Sequence, residues 1–296
     1  MSTLSRKWFI TVVFTIQLIP TINAQDQLRK KISTLAESIS GDVGVAIRLV
    51  ERNDTLSHHG KHPFPMQSIY KFPLALLVLK QVDEGKLKLD QNIYLARQDY
   101  FETHSPLMSK YSEADEETTM KEILQFTVSQ SDNVGCDLLF RFVGGPKKVD
   151  QFVHSLGIED MAIINTEREM HENDSLQFQN WSTPVEMANL FHAFYTKNIL
   201  TPRSQELLIN YMVNTTVGLK RIKGQLPEGT VVAHRTGTGS TKNRVTSAVN
   251  NAGIITLPNG NHLIVVVYIT NTREDIEIAE AVIASIAKMA YDYFSK

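Results

Sequence analysis

Two residues in the stretch Gln67-Ser68-Ile69-Tyr70-Lys71-Phe72-Pro73 raise the first chemical question. Three positions apart on a helix, the Ser68 hydroxyl and the Lys71 amine share one face, with β-carbons about 5–6 Å apart. A serine hydroxyl is a weak nucleophile near neutral pH until a neighbouring base or cation activates it. The helix that follows is apolar on nearly every side (Phe72, Leu74, Leu76, Leu77, Val78, Leu79), which places it in a domain centre. A lysine there is costly unless it is paired or put to use. A serine N-cap followed by a snorkelling lysine gives the same spelling.

Three further stretches are more polar than their places suggest. Ser131-Asp132-Asn133 interrupts the passage between two apolar helices, and serine with asparagine is also ordinary turn chemistry. Arg235-Thr236-Gly237-Thr238-Gly239 ends a predicted strand, where glycines let backbone N–H groups approach a ligand. A flexible strand-to-loop junction reads the same way, and no Walker lysine or following helix supports a phosphate cradle. Asn165-Thr166-Glu167-Arg168-Glu169-Met170-His171 opens a long polar segment ending at Asn180-Trp181. Long loops of this kind are usually functional or disordered, while Glu167 taken alone reads as a surface carboxylate.

The elements that must position these residues are legible in outline. A helix over 27–40 stops at Gly41, followed by strands over 43–50 and 55–58. Gly85 stops the Ser68 helix, Thr119-Met120-Lys121-Glu122 fits a capping box, and a helix over 134–143 closes at Gly144-Gly145, with Pro146 opening the next. Thr183-Pro184-Val185-Glu186 and Thr201-Pro202 open two more, and no strand is read between His62 and Val213. Strands follow over 230–234, 252–257 and 262–270, the last two joined by the hairpin Pro258-Asn259-Gly260-Asn261, and a helix over 275–293 ends the chain. This pattern predicts a sheet domain assembled from 25–61 and 214–296 around a helical domain, 62–213.

With 296 residues and a net charge of −2, the chain can bury a sizeable core and has no electrostatic reason to seek nucleic acid or an anionic membrane. Its start reads as an export signal: Arg6 and Lys7, an apolar run from Trp8 to Ile19, then Pro20 and a small residue, Ala24, at the cut. No later stretch offers about 18 consecutive apolar residues. Cys136 is the single cysteine, which excludes an internal disulfide and a cysteine-based zinc site. His58, His59 and His62 invite a metal but lack a nearby acidic partner and read as a solvated loop.

In order, Ser-x-x-Lys, Ser-Asp-Asn, a glutamate loop and basic-Thr-Gly on a strand resemble the class A serine β-lactamases over essentially the whole mature chain. Phe72-Pro73-Leu74 and Thr183-Pro184 belong to the same resemblance. It implies an α/β fold of the α+β type, with an all-helical domain packed on a discontinuous domain whose antiparallel sheet is flanked by the terminal helices. It further implies that Ser68 is acylated, that Lys71 and Glu167 manage its proton, and that either serves as acylation base. Ser131 would relay a proton to the leaving nitrogen, Glu167 would activate the hydrolytic water, and the Ser68 and Thr238 backbone N–H groups would form the oxyanion hole. Asn133, Arg235, Thr236, Gly237, Thr238, Arg221 and His171 would line the substrate.

The sequence departs from the family's pattern in several places. His171 stands where asparagine is usual, Asn165 and Asn180 replace an arginine–aspartate pair, and Arg235 replaces a lysine. Val249-Asn250-Asn251 lacks the second carboxylate-binding arginine, for which Arg221 is the substitute, and 239–247 is longer than usual. The implied protein is a periplasmic, monomeric β-lactamase without metal or organic cofactor, acting on small β-lactams with a lean towards cephalosporins. A D,D-peptidase or a non-hydrolytic β-lactam sensor is the alternative, and Glu167 is the feature that separates them.

Overall fold

The computed structural model describes residues 24–52 and 54–296. The first 23 residues of the expected export signal lie outside them. In chain order the helices are α1 (Ala24–Ala36), α2 (Lys71–Asp83), α3 (Pro106–Lys110), α4 (Met120–Ser129), α5 (Asn133–Val143), α6 (Pro146–Ser155), α7 (Glu167–Glu172), α8 (Pro184–Thr196), α9 (Pro202–Val213) and α10 (Ile276–Phe294). The strands are β1 (Asp42–Leu49), β2 (Thr55–His58), β3 (Phe64–Pro65), β4 (Asn92–Leu95), β5 (Glu116–Thr119), β6 (Met161–Ala162), β7 (Trp181–Ser182), β8 (Val232–Thr238), β9 (Thr241–Lys242), β10 (Val245–Thr256) and β11 (His262–Thr272).

The main sheet runs β2-β1-β11-β10-β8, antiparallel throughout, with β9 paired to the start of β10. Because side chains alternate along a strand, β11 feeds two cores. Leu263, Val265, Val267 and Ile269 pack with Leu28, Ile32, Ile283 and Ile286 of the terminal helices α1 and α10. Ile264, Val266 and Tyr268 pack instead with the helical core around α2. The β10–β11 turn holds Gly260 at φ +83°, the left-handed conformation that glycine accepts without strain.

Helix α2 is the centre of the other half. Every residue from Lys71 to Leu79 is buried, and Phe72 stacks on Phe191 at 4.1 Å. The predicted caps hold on their serine–threonine side: Thr119, Thr183 and Thr201 accept from the backbone N–H of Glu122, Glu186 and Ser204. The box at Thr119 is only half closed, since Glu122 turns its carboxylate to Tyr111, Thr118 and Lys110.

Three expectations are corrected. The segment 62–213 is not free of strands: β3, β7 and β6 form one small sheet, and β4 pairs with β5. At two to four residues each, they exist through their partners and carry too little pattern to read. Strand β10 starts at Val245, seven residues before the predicted Ala252, and continues through the polar Asn250 and Asn251. Ser68 does not open an α-helix but lies in a 3-10 turn, Gln67–Tyr70, that runs into α2.

Candidate active site

The 3-10 turn matters because side chains three apart eclipse in it. Lys71 Nζ donates to Ser68 Oγ at 3.0 Å. The same ammonium lies 2.9 Å from Ser131 O and 2.9 Å from Glu167 Oε1, and bonds Asn133 Oδ1 as well. One fully buried lysine therefore gives its three hydrogens to Ser68, Ser131 and Asn133, and pairs by charge with Glu167, whose Oε1 receives no hydrogen bond. Paired in this way, its burial is compensated.

Ser131 takes its place through backbone distortion. It sits at φ +60° between α4 and α5, with the turn pinned by Asp132. That buried carboxylate caps α5 through Gly135 N at 2.7 Å and accepts from Ser105 Oγ and Leu107 N. The motif reading gave Asp132 no role of its own; it is the anchor that aims its two neighbours. Asn133 Nδ2 donates to Thr103 Oγ1 at 2.8 Å, which fixes its amide oxygen towards Lys71.

Glu167 is the first residue of α7, and its position follows from Asp137. The Asp137 carboxylate accepts Glu167 N at 2.8 Å and Arg168 N at 2.9 Å, reaching across from α5. Burial, reinforced by the neighbouring Glu167 charge, raises this carboxyl to about 7. Glu169, the other acid of the turn, is occupied elsewhere: it closes a capping box on Thr166 N and Oγ1. The loop carries no arginine–aspartate pair. Asn180, fully buried, accepts from Ile164 N and Asn165 N and donates to Asn165 O, while Asn165 Nδ2 donates to Leu176 O and Gln179 Oε1. Met66 N donates to Asn180 O at 2.9 Å, joining the loop's end to the residues just before Ser68.

On the strand side, Arg235 is fully buried. Its guanidinium donates to Val128 O, to Ser68 O at 3.2 Å and to Ser131 Oγ at 3.2 Å. Burial lowers it to about 10, so it stays charged at neutral pH. Gly237 lies so close to the nucleophile turn that a β-carbon there would collide with Met66 O and the Gln67 side chain. Thr236 is buried and Thr238 exposed at the strand's end. Arg221 donates to Glu280 at 3.1 Å, to Gly237 O and Asn250 O, and to Thr238 Oγ1 at 2.6 Å. Of these partners only Thr238 belongs to the exposed end of β8. Asn250 and Asn251 hold strands together, bonding Pro65 O and Ile269 N in one case and Arg235 O, His234 Nδ1 and Ile222 N in the other.

The fold thus brings Ser68, Lys71, Ser131, Asn133, Glu167, Arg235 and Thr238 together. His171 stands apart. It is exposed and its ring packs against Phe101 at 5.5 Å, with the Arg168 guanidinium against the same ring at 4.6 Å, and it makes no hydrogen bond to Glu167. Asp137 and Glu280, which place Glu167 and Arg221, were missed. The available signal was an aspartate among the apolar residues of α5, and a glutamate among the apolar residues of α10. Among the described residues no group of three His, Cys, Asp or Glu could hold a metal ion.

A hydroxyl, an amine and a carboxylate within contact of one another, facing a strand end with buried cations, is an acyl-transfer arrangement. Comparison with known proteins agrees. The model of the β-lactamase enzyme family matches residues 27–294. The β-lactamase VEB-1 of Pseudomonas aeruginosa is 38% identical over 97% of this chain and 94% of that protein. The extended-spectrum β-lactamase PER-1 of the same organism is 40% identical over 90% of this chain and 87% of that protein. The crystal structure of the extended-spectrum β-lactamase TLA-3 superposes with a TM-score of 0.90 at 43% identity, covering 92% of this chain and 100% of that one. The chain belongs to the β-lactamase enzyme family, among its class A members.

Proposed function

We propose that the protein hydrolyses β-lactams through an ester on Ser68 and so confers resistance to them. The observation that carries this reading is the chain of contacts Ser68 Oγ–Lys71 Nζ–Glu167 Oε1, at 3.0 and 2.9 Å. Ser68 Oγ attacks the lactam carbonyl carbon and its proton passes to Glu167, or to Lys71 once Lys71 has given one of its own to Glu167. The C–N bond breaks, the ring nitrogen takes a proton from Ser131, whose hydroxyl oxygen accepts from Arg235, and the proton removed from Ser68 passes on to Ser131, which leaves Glu167 ready for the next step. A water then gives its proton to Glu167 and attacks the ester carbonyl, and the Ser68 C–O bond breaks with return of a proton to Oγ. The backbone N–H groups of Ser68 and Thr238 hold the oxyanion; one such donor is worth about a hundred- to a thousand-fold in rate. Asn133 receives the substrate's side-chain amide. Arg235, with Arg221 acting through Thr238 Oγ1, supplies the positive field for the substrate carboxylate along Thr236-Gly237-Thr238.

The neutral hydrogen-bonded loop and the extended-spectrum names of PER-1 and TLA-3 support a substrate range that includes cephalosporins. The sheet part, 25–61 and 214–296, and the helical part, 62–213, each contribute one wall. The basic start and apolar run before Ala24 support export and cleavage to a periplasmic monomer. No helix among the described residues is long and apolar enough to cross a membrane.

The test is intact-mass spectrometry with a chromogenic cephalosporin. Wild type should turn over and show only a fleeting adduct, Glu167→Gln should acylate and then stall on Ser68, and Ser68→Ala should show no adduct. An adduct that persists for hours on wild type would favour the sensor or peptidase instead.

A further inference from the structure

Gln177 lies where the loop 165–180 meets the sheet, and no step above uses it. Its side chain is buried and its hydrogen-bonding capacity is filled. The carboxamide oxygen accepts from Gln67 Nε2 at 2.7 Å and from Ser247 Oγ at 2.7 Å, and the nitrogen donates to Asp174 O at 2.8 Å and Ser240 Oγ at 3.4 Å. The orientation of the amide follows from Asp174 O, which can only accept. One side chain thus joins three pieces: the loop, the residue preceding the nucleophile, and β10 where the turn 239–247 returns to the sheet.

Two of those pieces need holding. Gln67 is a non-glycine residue at φ +51°, a conformation that persists only where its surroundings enforce it. Ser247 sits beside the end of β8, where Gly239 N bonds Ala248 O. Between them β8 is pressed onto the nucleophile turn at Gly237, with no room for a side chain. We infer that Gln177 is a positioning residue for the oxyanion hole, which acylation and deacylation both use. By tying Gln67 to β10 it fixes the separation between the Ser68 and Thr238 backbone N–H groups. The inference rests on the oxyanion assignment above. The Lys71–Glu167 contact and the Asp137 cap do not pass through Gln177, so the proton-handling groups stay in place while both steps lose oxyanion stabilisation.

Rapid-quench mass spectrometry with the same cephalosporin separates the two steps. Gln177→Leu should lower the acylation and deacylation rate constants together by about ten- to a hundred-fold, the scale of a small misplacement of reacting groups, whereas Glu167→Gln should slow deacylation far more than acylation. Gln177→Glu keeps both acceptor positions and loses both donors, and should lose less than Gln177→Leu. Gln67→Ala should reproduce part of the loss, and adding it to Gln177→Leu should cost nothing more, because both cut one link. A loss confined to one of the two steps, equal losses in the Leu and Glu variants, or additive losses in the double variant would overturn the inference. Should Gln177→Leu fail to fold, acylation by Gln67→Ala decides: a rate equal to wild type overturns it. A wild type that forms no Ser68 adduct would instead remove the functional reading itself.

Discussion

On the helical side of the site, Lys71 Nζ lies 2.9 Å from Glu167 Oε1 and hydrogen-bonds Ser68 Oγ, Ser131 O and Asn133 Oδ1, so an amine, a carboxylate and a hydroxyl that can exchange protons meet there. On the strand side the charges are Arg235 and Arg221, buried and bonded mostly to backbone carbonyls. Guanidinium does not lose its proton under working conditions. In the proposed mechanism one wall therefore moves protons, and the other holds a fixed field and cannot join in the traffic. An arginine in place of lysine at position 235 sharpens this division.

Substituting Arg235 should break it most severely. In Arg235→Ala the carbonyls of Val128 and Ser68 and the hydroxyl of Ser131 lose a buried donor, at about 1–3 kcal/mol for each group left unsatisfied. We expect kcat/KM to fall about a hundred-fold and the melting temperature to drop with it. Arg235→Lys keeps the charge but not the fork and should lose about ten-fold, mainly in KM. An Arg235→Ala enzyme with unchanged kcat/KM on carboxylate-bearing substrates would remove the field from the strand side.

The two sides also differ in how they respond to pH. Asp137 on the helical side is raised from 3.8 to about 7, and His234, buried in β8, is lowered from 6.5 to about 3, chiefly by burial and then by Arg235. Between about pH 4 and 7 folded Asp137 holds a proton that the unfolded chain has lost, so its contribution to stability falls as pH rises. Between about pH 3 and 6.5 the unfolded chain protonates His234 and the folded one does not, so this contribution rises with pH. Each slope is at most about 1.4 kcal/mol per pH unit, and they oppose each other over the same range. Asp137→Asn should therefore leave a stability that climbs with pH from 4 to 6.5, and His234→Gln one that declines. Denaturant midpoints across that range would check both, and parallel flat profiles would sink the pair.

The smallest effect belongs to Cys136. Burial raises its thiol well above the usual range, and its sulfur lies 3.9 Å from Tyr70 Oη in the core beneath the site. Iodoacetamide should leave the native enzyme unmodified and active, and label it only after unfolding. Rapid loss of activity on alkylation would place a reactive thiol on the proton-handling side.

The parts legible in the sequence were those with local causes. Thr119, Thr183 and Thr201 announce helix starts because a capping hydroxyl needs only residues three ahead. The hairpin at Gly260 is equally local. The missed parts depend on distant partners. Asn250 and Asn251 look like loop residues, yet they run through the middle of a buried strand because Pro65, Ile222, Arg235 and Ile269 satisfy them. Pro65 and Trp181 form a strand pair only because each meets the other. The motif positions Ser68, Lys71, Ser131 and Glu167 were found through resemblance, whereas their supports were not: Asp137 and Gln177 lie outside the residues that carried it, and Asp132, though inside a motif, was given no role.

Lys71 has three hydrogens, and its three hydrogen bonds go to Ser68 Oγ, Ser131 O and Asn133 Oδ1. Glu167 Oε1 lies 2.9 Å from the same ammonium, yet it is buried without a hydrogen bond of its own. A carboxylate oxygen shut away from water in this state has an idle lone pair, and a buried acceptor left idle costs about 1–3 kcal/mol. A proton delivered to that oxygen would relieve the cost, so the fold keeps its least satisfied acceptor where the proposed mechanism calls for a base.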